Sequence, residues 1–279
     1  MKEFWERYKR NKGAVIGLCV VVFVVLVAIL APILFSESPW EMAGRPFLPP
    51  MSPKFLLGTD MLGRDILAGM AHGARVSLLV GIASALASTT IGILVGGIAG
   101  YYGGRIDDAL MRFTELFQTI PSFILAIVLV AILGPTIYSV VLAIAIISWP
   151  PVARLVRGEF LSLREREFVM ASIVIGQSDM RIIFTQILPN AMGPIIVMAS
   201  LMVAGAILLE GSLSFLGFGD PEMMSWGFMI GSSRNLIRVA WWMSLFPGLA
   251  IFVTVLALNL VGEGLTDALN PRLAREVKA

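Results

Sequence analysis

The most constraining feature of the sequence is an uncharged run near its N-terminus. Residues 13–35, GAVIGLCVVVFVVLVAILAPILF, contain no charged side chain. At about 1.5 Å per residue, a helix of this length crosses a hydrocarbon core of roughly 30 Å. The run is longer than the apolar part of a signal peptide, about 7–15 residues, and no A-x-A cleavage pattern follows it. It therefore predicts an uncleaved first transmembrane anchor, preceded by a basic cytoplasmic segment at residues 1–12.

Five further apolar stretches have the length of a membrane span. They cover residues 77–100, 116–134, 136–153, 192–213 and 240–262. Only 14% of the residues are charged, against about 25% in an ordinary soluble domain. The sequence thus predicts an all-α, polytopic membrane protein with about six transmembrane helices. The short turn at Gly134-Pro135 leaves open that spans three and four form a re-entrant pair.

The basic residues predict the orientation of these spans. Fifteen of the 21 Lys and Arg residues fall before span one and in the segments after spans two, four and six. The other six, Arg75 among them, fall in the alternate loops, so the positive-inside rule places both termini in the cytoplasm. The predicted organisation is an extracytoplasmic loop at 36–76 ending in a short amphipathic helix, a core at 77–262, and a cytoplasmic tail at 263–279.

Absent motifs argue against an enzyme. The sequence contains no G-x-x-x-x-G-K-[ST], no H-E-x-x-H and no G-x-S-x-G. A single cysteine, Cys19, and a single histidine, His72, which we place in a loop, cannot build a His/Cys metal cage. The net charge of +2 gives no field that would attract nucleic acid. We therefore expect no catalytic residues, no metal site and no nucleic-acid partner.

Glu210 is the one ionisable residue that stands well inside a predicted span. Such a residue is either functional or a hydrogen-bonded structural carboxylate, and the sequence leaves both open. A secondary carrier usually has several ionisable residues or broken helices at the midplane, so one glutamate argues against that class.

Glycines and tryptophans predict packing and interface positions. Gly92, Gly96, Gly100 and Gly104 recur every four residues, as in a stripe that lets another helix approach closely. Three tryptophans near span ends are typical of an aromatic belt at the membrane surface. These are Trp226, Trp241 and Trp242.

The longest predicted cytoplasmic loop, residues 154–189, is unlike a simple connector. It reads RLVRGEFLSLREREFVMASIVIGQSDMRIIFTQILP, with charges of both signs at helical spacing followed by a short apolar helix. The helix meets Gly176, which suits a turn, and the next span begins at Leu188-Pro189. The apolar side chains are too many for a solvated loop, so they predict a docking surface for a cytoplasmic partner.

This loop resembles the permease signature of ABC importers, which runs Glu-Ala-Ala, three residues, Gly, nine residues, Ile, one residue, Leu-Pro. Met170 stands at the position of the family's Glu, Ala171 matches, and Ser172 replaces the second Ala. Gly176 and Leu188-Pro189 match, whereas Gln186 replaces the Ile. Because Met170 carries no charge, it cannot form the salt bridge to the ATPase that a Glu at this position could form.

Four more stretches extend the resemblance to about residues 10–273. They are LGTDMLGRDILAGMAHGARVSLLVG from Leu57, AGYYGGRIDDALMR from Ala99, EGSLSFLGFGDPEMMSWG from Glu210, and AWWMSLFPGLAIFVTVLALNLVGEGLTDALNPRL from Ala240. Together they resemble the second permease subunit of the dipeptide/oligopeptide/nickel branch. The resemblance implies a type I importer in the plasma (inner) membrane, with a second permease chain, two ATPases that bind ATP and Mg, and an extracytoplasmic solute-binding protein.

The resemblance also implies roles for particular residues. The helix from Ala171 to Gly176 would be the coupling helix seated in an ATPase groove. The residues expected to couple to the ATPase are Met170, Ala171, Ser172, Gly176, Leu188 and Pro189. The residues expected to flank that contact are Arg154, Arg157, Arg164, Arg166 and Glu167. The residues expected to face the binding protein or the gate are Gly58, Asp60, Gly63, Arg64, Asp65, Glu210 and Trp226.

Peptides are the leading cargo that the resemblance implies, and nickel or another metal chelate is the alternative. Met223, Met224 and Met229 cluster near the predicted outer gate, but thioether-rich stretches are more often packing than metal relays. The rival classes are a self-sufficient secondary carrier and a membrane scaffold that moves no solute.

Overall fold

The structure, a computed structural model, describes residues 2–36 and 38–269 of the chain. Within these two ranges it is helical, and β pairing is limited to isolated bridges. The helices are α1 (Lys2–Arg10), α2 (Lys12–Leu34), α3 (Ile66–Tyr102), α4 (Gly104–Thr119), α5 (Ser122–Leu133), α6 (Ile137–Arg164), α7 (Glu167–Val174), α8 (Asp179–Ile182), α9 (Leu188–Phe215), α10 (Trp226–Ser233) and α11 (Trp242–Leu269).

Five elements of the described chain are long and apolar enough to cross a membrane. They are α2, α3, α6, α11 and the continuous element Asp179–Phe215. A sixth crossing exists if α4 and α5, which meet at an angle of 84°, count as one broken span. The all-α, multi-pass architecture with about six spans is therefore confirmed.

The second span begins much earlier than residue 77. Helix α3 starts at Ile66, where the Asp65 side chain accepts a hydrogen bond from the backbone N–H of Leu67 at 2.9 Å and so caps the helix. His72 and Arg75 consequently lie within α3 and not in a loop, and the described segment 38–65 contains no separate amphipathic helix. The prediction was wrong here because the first turns are rich in small residues, which score low in hydropathy but pack well.

The third predicted span is not a single straight helix. The chain leaves α4 at Thr119, passes Ile120-Pro121 and turns into α5, which has only 12 residues. Proline supplies no N–H and its ring crowds the preceding turn, so a helix ends or bends there. The prediction of one continuous helix over 116–134 is therefore wrong, and α4 and α5 form a bent pair that is either one broken span or a re-entrant loop.

Helices also extend into the predicted loop at 154–189. Helix α6 continues to Arg164, and the next long element starts at Asp179, so only a short stretch around α7 is a true connection. Leu188 and Pro189 lie within that long element and not at its start. At the C-terminus, α11 runs on to Leu269, past the predicted end of the last span, and the rest of the predicted tail, 270–279, lies outside the described residues.

A single π-helical turn, Ile183–Ile187, joins α8 to α9. The backbone N–H of Leu188 bonds to the carbonyl of Ile183, five residues back. Pro189 follows at once, and in a regular α-helix its ring would clash with the carbonyl four residues earlier. The wider turn accommodates the proline, so the helix continues through it.

The glycine stripe packs α3 against α6, as the sequence predicts. A Cβ on Gly92 would lie 2.5 Å from Val152 Cβ, and one on Gly100 would lie 2.6 Å from Phe160 Cβ. On Gly96 it would overlap the carbonyl oxygen of Ala153. The fourth glycine, Gly104, has no atom within 4 Å of such a Cβ and takes φ +54°, so it serves the turn into α4 and not the stripe.

The segment 38–65 folds over one end of the bundle, and we call it the cap. Its backbone is held by hydrogen bonds between distant parts of the segment, such as the one from Gly44 N–H to the Gly63 carbonyl at 2.9 Å. Trp242 Nε1 donates to the Thr59 carbonyl at 3.2 Å, which ties the cap to the start of α11. The opposite end of the bundle, where α3 and α6 end and α7 lies, we call the α7 end.

Candidate functional site

Helix α7 lies across the α7 end, between the last residue of α6 and the first residue of α8. Its inner side consists of Val169, which is 0% exposed, and Ser172, which is 6% exposed. Val169 belongs to a core cluster that also contains Val156, Phe160 and Ile187. The helix is thus seated on the core of the bundle along one side only.

The outer side of α7 is apolar and exposed. Val174 has 85% of its surface exposed, Ile175 has 73%, and Met170 has 54%. Phe168 and Ile173 are also exposed. A contiguous apolar surface of this kind is typical of a site where another protein binds.

The signature residues divide between this outer surface and the turns beside it. Met170 and Ala171 are exposed, whereas Ser172 is buried and donates to the Phe168 carbonyl at 2.9 Å. Gly176 has φ +76°, a conformation that a side chain disfavours, and it lies two residues after the end of α7. The two remaining signature residues, Leu188 and Pro189, lie beyond the π turn and away from α7 in the chain.

The expected flanking residues make different contacts. Arg166 and Glu167 begin α7 and are exposed, and a carboxylate in the first turn suits the positive end of the helix dipole. Arg164 donates through Nη1 to the Tyr101 carbonyl at 2.6 Å. Arg154 and Arg157 lie on α6, about 15 and 10 Å of helix rise before its end, so they do not flank α7 directly.

Arg157 instead pairs with Asp107 of α4. The guanidinium donates through Nε to Oδ1 at 2.5 Å and through Nη2 to Oδ2 at 2.6 Å. This two-point geometry is strong and directional, and Asp107 is buried. The pair therefore fixes α4 against α6.

Sequence reasoning missed Asp107, Tyr101 and Asp179. Tyr101 Oη donates to Asp179 Oδ1 at 2.8 Å and joins α3 to α8. Asp107 and Tyr101 both lie in the stretch AGYYGGRIDDALMR that carries part of the resemblance. The available signal was a cluster of polar side chains at a span end, where helix ends leave backbone groups to be satisfied.

At the cap end, the two expected glycines are required by the backbone. Gly58 has φ +83° and Gly63 has φ +77°. A Cβ on either would overlap a backbone carbonyl oxygen, that of Leu48 or of Gly44. Both glycines therefore hold the fold of the cap.

Three charged residues expected to face the gate hold the same segment. Asp60 Oδ1 accepts from the backbone N–H of both Leu62 and Arg64 at 2.8 Å. The Arg64 guanidinium lies 4.7 Å from the centre of the Trp40 ring, and Asp65 caps α3. These contacts stabilise the cap and the start of α3, and they leave the role toward a binding protein a prediction.

Glu210 is buried, at 3% exposed, and accepts hydrogen bonds from three serine hydroxyls. Ser225 donates to Oε1 at 2.6 Å, Ser214 to Oε1 at 2.7 Å, and Ser77 to Oε2 at 3.5 Å. Ser77 lies in α3, Ser214 lies in α9 with Glu210, and Ser225 caps the N-terminus of α10. The carboxylate therefore joins three helices. These hydrogen bonds are those expected if Glu210 is a structural carboxylate, the second of the two roles that the sequence leaves open.

Trp226 is also buried and not part of a surface belt. Its backbone N–H donates to Ser77 Oγ at 3.2 Å and its Nε1 to the Met70 carbonyl at 2.9 Å. Trp242 is likewise buried, so the aromatic-belt prediction is wrong for both. It fits only Trp241, half of whose surface is exposed.

Two of the three methionines near the cap pack against α3. A Cβ on Gly69 would lie 3.0 Å from Met224 Sδ and 3.1 Å from Met229 Cε, so both side chains fill the space beside α3. Met223 is exposed. Within residues 2–36 and 38–269, no group of three or more His, Cys, Asp or Glu residues could hold a metal ion.

A cavity of about 580 Å³ opens at the α7 end between α6, α9 and α11. Its walls are mainly apolar and include Pro194, Met198 and Leu201. Among the described residues that line it, Glu159 is the one with a charged side chain.

Comparisons with known proteins agree with this geometry. Residues 92–275 match the family described as binding-protein-dependent transport system inner membrane component, and residues 1–50 match the N-terminal transmembrane domain of oligopeptide transport permease C. The di/tripeptide transport system permease protein DppC of Pseudomonas aeruginosa is 43% identical over 98% of this chain and 92% of its own. The oligopeptide transport system permease protein OppC of Haemophilus influenzae is 41% identical over 97% and 89%.

A solved structure supports the fold. An inward-facing structure of the MetNI methionine ABC transporter matches with a TM-score of 0.60 at 17% identity, over 74% of this chain and 96% of that one. At this identity the likeness shows the fold alone, which is that of a type I importer permease. The family match covers more than half of the sequence and the relatives cover nearly all of it. The chain therefore belongs to the inner membrane components of binding-protein-dependent transport systems, as a multi-pass permease of the dipeptide and oligopeptide branch.

Proposed function

We propose that this chain is one of two permease subunits of an ATP-driven importer that passes dipeptides or oligopeptides across the inner membrane. In this proposal two ATPases bind ATP and Mg at the cytoplasmic side, and an extracytoplasmic solute-binding protein delivers the peptide. The relatives named above are permeases of di/tripeptide and oligopeptide systems, which favours peptides over a nickel chelate. The chain itself supplies half of the pathway and the contact to one ATPase.

The observation that carries the proposal is the one-sided burial of α7. Val169 fixes the helix to the core, while Met170, Val174 and Ile175 present apolar surface outward. Burying such surface against a partner is favourable by about 25 cal/mol per Å². A helix held in this way can receive a push from a docked ATPase and pass it to the spans on either side.

The proposed mechanism is alternating access. The bundle exchanges between inward-open and outward-open states, and ATP binding and the loaded binding protein shift the balance between them. In this scheme the cavity at the α7 end, with Glu159 on its wall, is the cytoplasmic part of the exit path.

Gentle purification of the tagged chain from its native membrane tests the subunit composition. Mass spectrometry should identify a second permease, P-loop ATPases and a solute-binding protein. Uptake of labelled dipeptides in reconstituted vesicles should then require ATP, and excess unlabelled peptide should compete with it whereas Ni²⁺ should not. Uptake by this chain alone, driven by an ion gradient, would refute the proposal and favour a secondary carrier.

A charge placed on the outer face of α7 tests the docking surface. Val174→Glu should reduce recovery of the ATPases at least tenfold, because the carboxylate would be buried without a partner. Ile106→Glu is the matched control, since Ile106 is an exposed apolar residue of α4 at the same end of the bundle. Equal recovery of ATPases with both variants would contradict a contact at α7.

A further inference from the structure

We call the connection between α6 and α8, residues 165–178, the α7 segment. The residues that flank its two ends both form a hydrogen bond with one residue of another helix. Helix α3 ends at Tyr102, and the last carbonyl groups of any helix lack partners within it. The carbonyl of Tyr101 is one of these, and it accepts the hydrogen bond from Arg164 Nη1 at 2.6 Å. Arg164 is the last residue of α6, directly before the α7 segment.

The side chain of the same tyrosine reaches the other end of the segment. Tyr101 Oη donates to Asp179 Oδ1 at 2.8 Å, and Asp179 is the first residue of α8. The bond joins a neutral donor to a carboxylate, which is stronger than a bond between two neutral groups. The α7 segment is therefore attached to the end of α3 at its entrance and at its exit.

The ring of Tyr101 completes this attachment. It is 8% exposed and lies in the same core cluster as Val169, the buried residue of α7. The attachment thus consists of one backbone acceptor, one hydroxyl donor and one packed ring. All three belong to a residue that is separated from α7 by more than 60 positions in the sequence.

Helix α3 is well placed to carry a displacement away from α7. Its glycine stripe leaves no free space against α6, so the two helices cannot slide past each other without repacking. Toward its other end, Ser77 contacts Glu210 and accepts from the backbone of Trp226. Helix α3 therefore connects Tyr101 to the elements beneath the cap.

We propose that Tyr101 is a positioning residue for transport, which links both ends of the α7 segment to α3 so that a displacement of α7 moves α3 with it. The proposal rests on the proposed function, in which α7 receives the movement of an ATPase. A link that served folding alone would affect stability and leave the coupling between ATP hydrolysis and uptake unchanged.

Removing the hydroxyl of Tyr101 tests the link. In the full transporter reconstituted in vesicles, Tyr101→Phe should raise the ATP hydrolysed per peptide imported by about threefold to tenfold, because one charge-assisted hydrogen bond is lost. Recovery of the ATPases should stay unchanged, since the outer face of α7 is intact. Tyr102→Phe is the matched control, because Tyr102 is the next residue, is exposed, and makes no side-chain hydrogen bond within the described chain.

Changes at Asp179 test the same bond from its other side. Asp179 is exposed, so we expect the fold to tolerate its replacement. Asp179→Ala should raise the ratio as much as Tyr101→Phe does, the double variant should raise it no further, and Asp179→Asn should restore most of the coupling because its amide oxygen still accepts. An unchanged ratio in Tyr101→Phe and Asp179→Ala, with ATPases still bound, would overturn the link while leaving the proposed function intact. Loss of the ATPases from the unaltered protein would instead refute the proposed function.

Discussion

Substitution of Gly96 by alanine measures how closely α3 and α6 pack. The added Cβ would overlap the carbonyl oxygen of Ala153 and lie 2.9 Å from Val156 Cβ. The carbonyl belongs to the backbone of α6 and cannot rotate away, so the helices must separate. Overpacking of this kind costs about 1–3 kcal/mol, and it works against a gain of about 1 kcal/mol in helix propensity. We expect Gly96→Ala to lower the free energy of unfolding by up to about 2 kcal/mol.

Two other glycines provide matched controls for this variant. Gly205 lies within α9, and a Cβ there would have no atom within 4 Å, so Gly205→Ala should be neutral or stabilising by up to about 1 kcal/mol. Gly97 faces the ring of Phe160 at 3.3 Å, which can shift, so Gly97→Ala should fall between the two. Reversible unfolding in mixed micelles with increasing SDS would give all three values. Equal stability of Gly96→Ala and Gly205→Ala would refute the close packing of α3 on α6.

Three further variants address polar contacts, each measured by the same unfolding assay. Glu210→Ala should lower the free energy of unfolding by about 2–4 kcal/mol, because three serine hydroxyls lose their acceptor, and Glu210→Gln should lose less because it keeps one oxygen; equal losses would contradict this. Asp107→Asn and Arg157→Lys should each cost about 1–3 kcal/mol, and the double variant should cost less than their sum, whereas strict additivity would argue against the pair. Trp242→Phe should cost about 1 kcal/mol and speed proteolysis within the cap, while unchanged proteolysis would show that its bond to Thr59 does not hold the cap.

The spans were predictable from the sequence because a bilayer imposes length and apolarity on each of them. Hydropathy placed α2 to within a residue at each end, and the spacing of Gly92, Gly96 and Gly100 predicted a close helix contact, which the structure shows with α6. The start of α3 was missed because its first turns carry glycine and alanine. The N-cap residue Asp65 was the signal that could have located it.

The contacts of the candidate site were less predictable. The apolar pattern located α7 as a separate short helix, whose docking role stays a prediction. The partners of Tyr101 lie far along the chain and follow no period, so no local pattern connects them. Two of the three serines around Glu210 could not be predicted either, because Ser77 and Ser225 approach it only once α3 and α10 are packed, whereas Ser214 lies one turn away on the same helix.

The π turn before Pro189 has a mechanical consequence. Because this turn accommodates the proline, Asp179–Phe215 is one continuous helical element of 37 residues, or roughly 55 Å at 1.5 Å per residue. If this element moves as a rigid lever, a tilt of about 10° around its midpoint carries each end about 5 Å, in opposite directions. Asp179 stands at one end of this lever and Glu210 near the other. For a helix that moves rigidly, inward travel beside α7 would accompany outward travel beneath the cap, with no change in the length of the helix.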